Sequence, residues 1–337
     1  VSGSGVFLAT LSAVVVASVT WASEVDQETY SHLPLKDAST EISQQVQNKI
    51  QIVIDEINKE LNLTTSAATV SDGELEYRFA EKWKEGLSSP WSSEFEECIP
   101  KNNCPGWNPI ERINLLPGES IFDEVNFNPV TTRYIAPVIQ LCGVRMGVDK
   151  LTHMFQDGFR FYDLWMNQQR HLTDEQIFQM SVIEERHIMG KTLTAVMSYA
   201  DVEANLAGVE FFRNLFINRR HLRRTSEGFL SLKEPVDICA YVKPSFDERR
   251  AHVEYFGSRA IALKKLIAKR RQYQPPLSDE QINSILARAE THSVSALEIF
   301  IGVWQVTRHP LLTANLWDHF PNWLTSIENR RPVQLKD

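Results

Sequence analysis

Three ionisable side chains, Asp149, Lys150 and His153, fall within five positions in the stretch GVDKLTHMFQDGFRFYDLW, residues 147–165. On a helix, Asp149 and His153 stand one turn apart on the same side. A carboxylate in that position can orient an imidazole and raise its basicity. The same pair can offer two ligands to a metal. Asp149 also precedes the apolar face Leu151, Met154, Phe155 and Phe159, where an N-cap belongs, and capping alone would explain it. Further on, SVIEERHIMGK carries Glu184, Glu185 and His187. In MSYADVEANLAGVEFF, Ser198 and Asp201 have the spacing of a capping box, and Asn205 lies one turn beyond Asp201. Asn and Gly inside a helix lower its propensity. Asn205 is therefore expected to bond another polar element, and Ala204 and Gly208 to let a neighbouring helix come close.

The candidate site is Asp149, Lys150, His153, Glu185, Asp201 and Asn205. As a hydrolytic centre, His153 or Glu185 would be the general base and Asp201 would orient it or bind a metal. Lys150 or Asn205 would then stabilise developing negative charge. As architecture, the same six would form a buried network fixing the register of three helices. Removing one member would then cost about 3–5 kcal/mol. The residue types leave both readings open, with architecture slightly ahead. The lysine argues against a metal, because its charge repels a cation, and nothing in the sequence names a metal or cofactor. There is no nucleotide-binding glycine motif, G-x-S-x-G or H-E-x-x-H.

Helices must carry these residues. Apolar positions Ile42, Val46, Ile50, Ile57 and Leu61 form one face over 38–61, with Ser39 or Thr40 placed to cap. A more charged helix is predicted over 72–86. From Ser88 to about Thr132 the chain is rich in Pro, Gly, Asn and Ser, which predicts a long irregular excursion with short strands near Arg112–Leu116. A loop of that length is often functional and can cover a site. Helical periodicity then predicts 148–168, 174–190, 199–218, 246–271, 279–305 and 311–327. LTDEQI and LSDEQI, beginning at Leu172 and Leu277, both carry a capping-box arrangement. Trp317, Phe320 and Trp323 are expected in the core of the last helix, which Pro321 kinks or ends. The fold class expected is mainly α: a multi-helix bundle with an N-terminal helical arm and a long irregular loop. The arm and loop region would cover 23–132 and a helical core domain 133–330.

Composition and charge narrow the class. The chain has 337 residues and a formal net charge of −8, which disfavours nucleic acid as a partner. Residues 1–22 contain an uncharged apolar run ending in Thr20-Trp21-Ala22, and read as a signal peptide with the mature chain starting near Ser23. No other segment reaches eighteen apolar residues, so the mature chain is expected to be soluble and periplasmic or secreted. Export permits disulfides. Cys98 and Cys104 can close a tight loop, while Cys142 and Cys239 are either a second bridge or two buried apolar residues. Between Phe211 and Arg271 stand 15 Lys or Arg against 6 Asp or Glu. These are either solvated helix faces or, across Arg219–Arg271, a patch for an anionic envelope polymer or lipid surface. Asn62 heads an Asn-Leu-Thr glycosylation sequon, meaningful only in a eukaryotic cell.

The order Asp149-Lys150-x-x-His153, then Glu185 or Glu184, then Ser198-x-x-Asp201-x-x-x-Asn205-x-x-Gly208 resembles the signature of VanZ-like and YfiM-like envelope proteins. Gly147, Gly158, Phe161, Tyr162 and SYADVEANLAGVEFF resemble more closely a group of uncharacterised exported proteins of Gram-negative bacteria. The resemblance covers about residues 140–215. It implies an envelope setting and a shared polar cluster, and no reaction. The helices here carry more charge than membrane-embedded VanZ-like proteins, and Met154 stands where Phe is usual.

Overall fold

Helix α1 (Ser39–Thr64) forms because its apolar residues recur on one stripe, and Ile42, Val46, Ile50, Ile57 and Leu61 are all buried. Its first amide, that of Ser39, donates to Asp37 Oδ1 at 2.8 Å, so Asp37 supplies the cap expected from Ser39 or Thr40. Helix α2 (Asp72–Leu87) buries Leu75, Phe79 and Trp83. The computed structural model describes residues 23–64, 67–87, 94–101, 104–116, 118–133, 135–167, 171–216 and 220–271. All belong to one unit, Val19–His292. The proposed leader, the LSDEQI cap, the helices expected over 279–305 and 311–327, and Trp317, Phe320, Pro321 and Trp323 lie outside the described residues.

The excursion after α2 holds more helix than its composition suggested: α3 (Glu94–Lys101), α4 (Ile121–Glu124) and α5 (Pro129–Arg133). Ser120 caps α4 by accepting from the Phe122 amide, one of the short local bonds through which polar residues start helices inside such text. Cys98 and Cys104 are bridged, as their spacing suggested. Among the described residues the fold is mostly helical but not purely so. Strand β1 (Glu24–Val25) runs parallel to β3 (Ile135–Ala136), and β2 (Arg112–Ile113), near the expected strand, joins the sheet β2–β4–β5. Strands β4 (Val138–Leu141) and β5 (Val144–Gly147) form a hairpin. Its two turn residues, Cys142 and Gly143, have φ of 52° and 77°, as a two-residue turn matched to strand twist requires. Cys142 is bridged to Cys239, resolving the alternative left open by the sequence.

The hairpin leads directly into α6 (Asp149–Thr152), a π-helical turn at His153–Asp157, and α7 (Gly158–Asn167). Helix α8 (Asp174–Ile183) opens with the expected box between Thr173 and Gln176 and passes into a π-helical stretch, Glu184–Thr194. Ala195, left-handed at φ 63°, ends that stretch. Strand β6 (Val196–Ser198) and α9 (Tyr199–Phe216) follow. A hairpin of β7 (Leu222–Arg224) and β8 (Leu230–Leu232) comes next. The single helix expected over 246–271 is not formed. Residues Val253–Tyr255 are strand β9, paired antiparallel with β6, and only α10 (Ala260–Arg270) is helical. The reason is local. Asp247 turns its carboxylate back onto the Arg249 amide, and Gly257 at φ 83° breaks any continuous helix.

An aromatic core holds α2, α7 and α9 together. The Trp83 ring meets Phe212 edge-on at 5.1 Å and Phe159 at 6.3 Å, and Phe79 meets Phe216 at 4.7 Å. The helix approach expected at Gly208 is formed with the π turn and α7. A Cβ on Gly208 would come 1.9 Å from the Met154 carbonyl oxygen, and one on Gly158 would come 2.6 Å from the Gly208 Cα. Gly208→Ala should therefore destabilise the protein by about 3 kcal/mol or more, since backbone cannot yield as a side chain does. Gly73→Ala, where a Cβ meets nothing within 4 Å, should be neutral to mildly stabilising. Equal melting temperatures for the two variants would refute the close packing.

Candidate functional site

The Gly158–Gly208 contact sets two polar helix faces against each other, with the α8 end beside them. Lys150 is 0% exposed. Its Nζ lies 2.6 Å from Asp149 Oδ2 and 2.7 Å from Glu248 Oε1, and also pairs with Asp201 Oδ1. The ammonium donates to Asp149 and Glu248 and is paired by charge with Asp201, so three carboxylates enclose it. Burial opposes its charge, and Asp149, Asp201 and Glu248 more than compensate, holding its pKa well above the ordinary lysine value. Lys150 is thus fully committed and is not a spare group for developing negative charge.

The other end of the cluster centres on His153, which is 9% exposed. Its Nδ1 lies 3.2 Å from Asn205 Oδ1, 3.3 Å from Asp157 Oδ2 and 3.5 Å from Glu185 Oε1. Its Nε2 is 3.6 Å from Asp201 Oδ1, beyond hydrogen-bond length. Asn205 Nδ2 donates to Ser181 Oγ at 3.0 Å and to Glu185 Oε1 at 3.3 Å, the compensation its place inside a helix required. Glu184 turns the other way and takes Arg160, so of the two candidate glutamates Glu185 is the one in the cluster.

Burial pushes the Glu185 carboxyl up to about 8, with His153 pulling down and Asp201 pushing further up. Burial likewise raises Glu248 to about 7 against the pull of Lys150. Burial lowers the affinity of His153 for its proton, but Asp201, Glu185 and Asp157 outweigh it and hold the imidazole well above its usual value. Asp149 is raised by burial despite Lys150.

All six sequence candidates meet here, but two of their local explanations fail. Asp149 is not an N-cap. Val148 holds that position without a side-chain bond, and the Asp149 carboxylate faces Lys150 instead. Asp149 Oδ1 lies against Gly147, where a Cβ would come within 2.1 Å, and has no hydrogen-bond partner. Ser198 and Asp201 form no reciprocal box. Ser198 ends β6 and its Oγ accepts from the Ala200 amide, while the Asp201 carboxylate is drawn to Lys150. The buried ion pair outcompetes a capping bond because a charge-assisted contact away from water is the stronger one. The carboxylate that bonds His153 from its own helix is Asp157, four residues after it, rather than Asp149, four before.

Glu24, Glu96, Asp157 and Glu248 were not identified from the sequence. Asp157 was legible, being at i+4 from His153. Glu248 sits in SFDERR, which reads as ordinary surface charge. Glu24 enters on β1, beside Thr194, and burial with Asp201 and Glu248 raises its pKa strongly. Glu96 comes from α3, so the Pro-rich excursion does reach the cluster. Burial raises Glu96 too, against the hydrogen bond it accepts from Ser23 Oγ.

Asp149, His153 and Asp201 bring one ligand atom each within 4.8 Å of one another, as do Glu24, Asp201 and Glu248, a spacing that suits a metal ion. The Lys150 ammonium contacts carboxylates of both groups, so a cation already stands within reach of each. Both helices change to i→i+5 bonding at the site: the Gly158 amide bonds His153 O, and the Ala195 amide bonds Gly190 O. Such widened turns cluster at functional sites. No family model, curated protein or solved structure matches the chain.

Stability should carry the sign of these shifts. Glu185, Glu248 and His153 bind protons more tightly folded than unfolded, so their contribution is greatest in mild acid. It should fall as pH rises from about 4.3, the ordinary glutamate value, through the folded values of about 7 and 8. Each group would contribute at most about 1.4 kcal/mol per pH unit. Denaturant melts at pH 5, 6.5 and 8 should show this decline, and Glu185→Gln should flatten it. A wild-type stability that rises over this range would contradict the assignment.

Proposed function

We propose that the protein is an exported envelope hydrolase. In this reading the His153 end of the cluster performs acid–base chemistry and the Lys150 end holds it in register. The observation that supports it is His153 Nε2, 3.6 Å from Asp201 Oδ1 and without a hydrogen bond among the described residues. A purely architectural network closes its polar contacts, because an unpaired buried group is costly. Here Asp149 Oδ1 and Asp201 Oδ1 are buried without a hydrogen bond, and Nε2 reaches Asp201 only at 3.6 Å. A substrate or water hydroxyl placed beside Nε2 and Asp201 would accept from the protonated imidazole and donate to the carboxylate. Asn205 and Asp157 at Nδ1 would hold the ring and stabilise its charged form. Glu185, protonated up to about pH 8, is suited to give a proton to a leaving group near neutrality.

A second reading, a non-enzymatic envelope or assembly protein, is favoured by the complete burial of Lys150. Either protein could bind an anionic envelope polymer or lipid surface through the Arg219–Arg271 stretch. Arg224, Arg249 and Arg271 are occupied by Asp72, Asp247 and Glu28. The exposed cations of that stretch outside these ion pairs include Arg220, Lys233 and Arg259, and on α10 Lys264, Lys265 and Lys269 with exposed Ile261 beside them. No helix of the described residues is long and apolar enough to cross a membrane.

The purified exported protein should be tested on chromogenic ester, phosphodiester and glycoside probes alongside three variants. The hydrolase reading expects His153→Ala and Glu185→Gln to lose about a hundredfold or more in turnover while melting within a few degrees of wild type. Lys150→Met should lose its fold, since it leaves three buried carboxylates without their cation. If wild type turns over no probe and His153→Ala unfolds as readily as Lys150→Met, the cluster is architectural.

A further inference from the structure

The cluster has more carboxyl groups than cations: Glu24, Glu96, Asp149, Glu185, Asp201 and Glu248 surround Lys150 and His153. One further cation is within reach. Ser23 Oγ donates to Glu96 Oε2 at 2.5 Å. The next residue, Glu24, is buried in the cluster and is fixed by β1, which pairs Glu24 with Ile135 and Val25 with Ala136. A serine's own nitrogen lies about 3–4 Å from its hydroxyl by covalent geometry. The backbone nitrogen of Ser23 is therefore within reach of Glu96, whose Oε1 is buried and has no hydrogen-bond partner. The apolar run before it ends in Thr20-Trp21-Ala22, so the expected cleavage falls on the peptide bond to that nitrogen.

We propose that cleavage after Ala22 turns the Ser23 nitrogen into an ammonium that pairs with Glu96 and becomes a resident cation of the site, so that export itself completes the cluster. Hydrolysis of the Ala22–Ser23 peptide bond uses one water and leaves a carboxylate on the leader and a protonated amine on the mature chain. Before cleavage the nitrogen is an uncharged amide with one hydrogen. Afterwards it carries three donors and a full charge, which a carboxylate partner favours. The charged groups around Glu96 are Asp149, which adds to the demand for a cation, and His153, which opposes it. Thr152 is the neutral neighbour. The proposal rests on the export reading and holds whether the cluster is catalytic or architectural.

The test begins with the full chain expressed with its leader, exported and purified, with its first residue read by mass spectrometry. Amine labelling of the N-terminal peptide is then followed at pH 7 in wild type and Glu96→Gln. In parallel, melting is compared between this protein and one carrying a Gly-Ser extension before Ser23. The expected result is a chain starting at Ser23 whose amine labels at least about tenfold more slowly than in Glu96→Gln, corresponding to a pKa difference of one unit or more. The extension should lower the melting temperature, and Glu96→Gln should erase that difference. A chain starting elsewhere overturns both the cleavage assignment and the proposal. A chain starting at Ser23 with equal labelling in the two proteins, or an extension that changes nothing, leaves export intact and overturns the proposal alone.

Discussion

The rest of the site depends on one buried ammonium. Lys150 lies in full burial with carboxylates from its own helix, from α9 and from the segment before β9. A charge moved out of water costs several kcal/mol unless it is paired with good geometry, and a carboxylate left alone there costs as much. None of these groups tolerates burial without the others, so the three chain segments must arrive together. The Cys142–Cys239 bridge reinforces this arrangement, because it joins the hairpin just before Asp149 to the segment leading into Glu248.

From that fixed point the cluster changes character over a short distance. At Lys150 one ammonium is enclosed by three carboxylates. At His153 one imidazole nitrogen is shared among three acceptors and the other meets Asp201 only at 3.6 Å. The helix backbone changes at the same place, with a π turn beginning at His153 and another at Glu184. Widened turns of this kind are less favourable than α-helix and persist where surrounding structure holds them. Here the holding element is the glycine contact between residues 158 and 208, which brings α9 against the turn with no side chain between. Packing, helix type and the protonation of Glu185 are therefore one arrangement seen at three scales.

The chain in front of the core belongs to the site as well. Glu24 enters on a two-residue strand and Glu96 on a short helix closed by a six-residue disulfide loop. Neither element has a hydrophobic face long enough to be read from periodicity. Each is held by tertiary pairing, β1 by β3 and α3 by its contact with α6. The irregular composition of 88–132 announced a stretch with a function other than filling the core, but it could not indicate which of its acids would turn inward.

The sequence by itself determined the helices with strong 3.6-residue periodicity, the Thr173 cap, the local Cys98–Cys104 bridge, and the meeting of Asp149, Lys150, His153, Glu185, Asp201 and Asn205. It also called for a close helix contact at Gly208 and an interhelical bond for Asn205, because small and polar residues inside a helix need such compensation. Only the tertiary structure decided what those residues do to one another. Asp149 and Asp201 look like helix caps in one dimension, since capping is a local bond and Lys150 is the sole local alternative. In three dimensions the buried ammonium draws both. The same holds for Glu248, whose neighbours Asp247, Arg249 and Arg250 mark it as surface. Local propensity is worth tenths of a kcal/mol per residue, whereas a buried charge without its partners costs several, so wherever the two disagreed the charge prevailed.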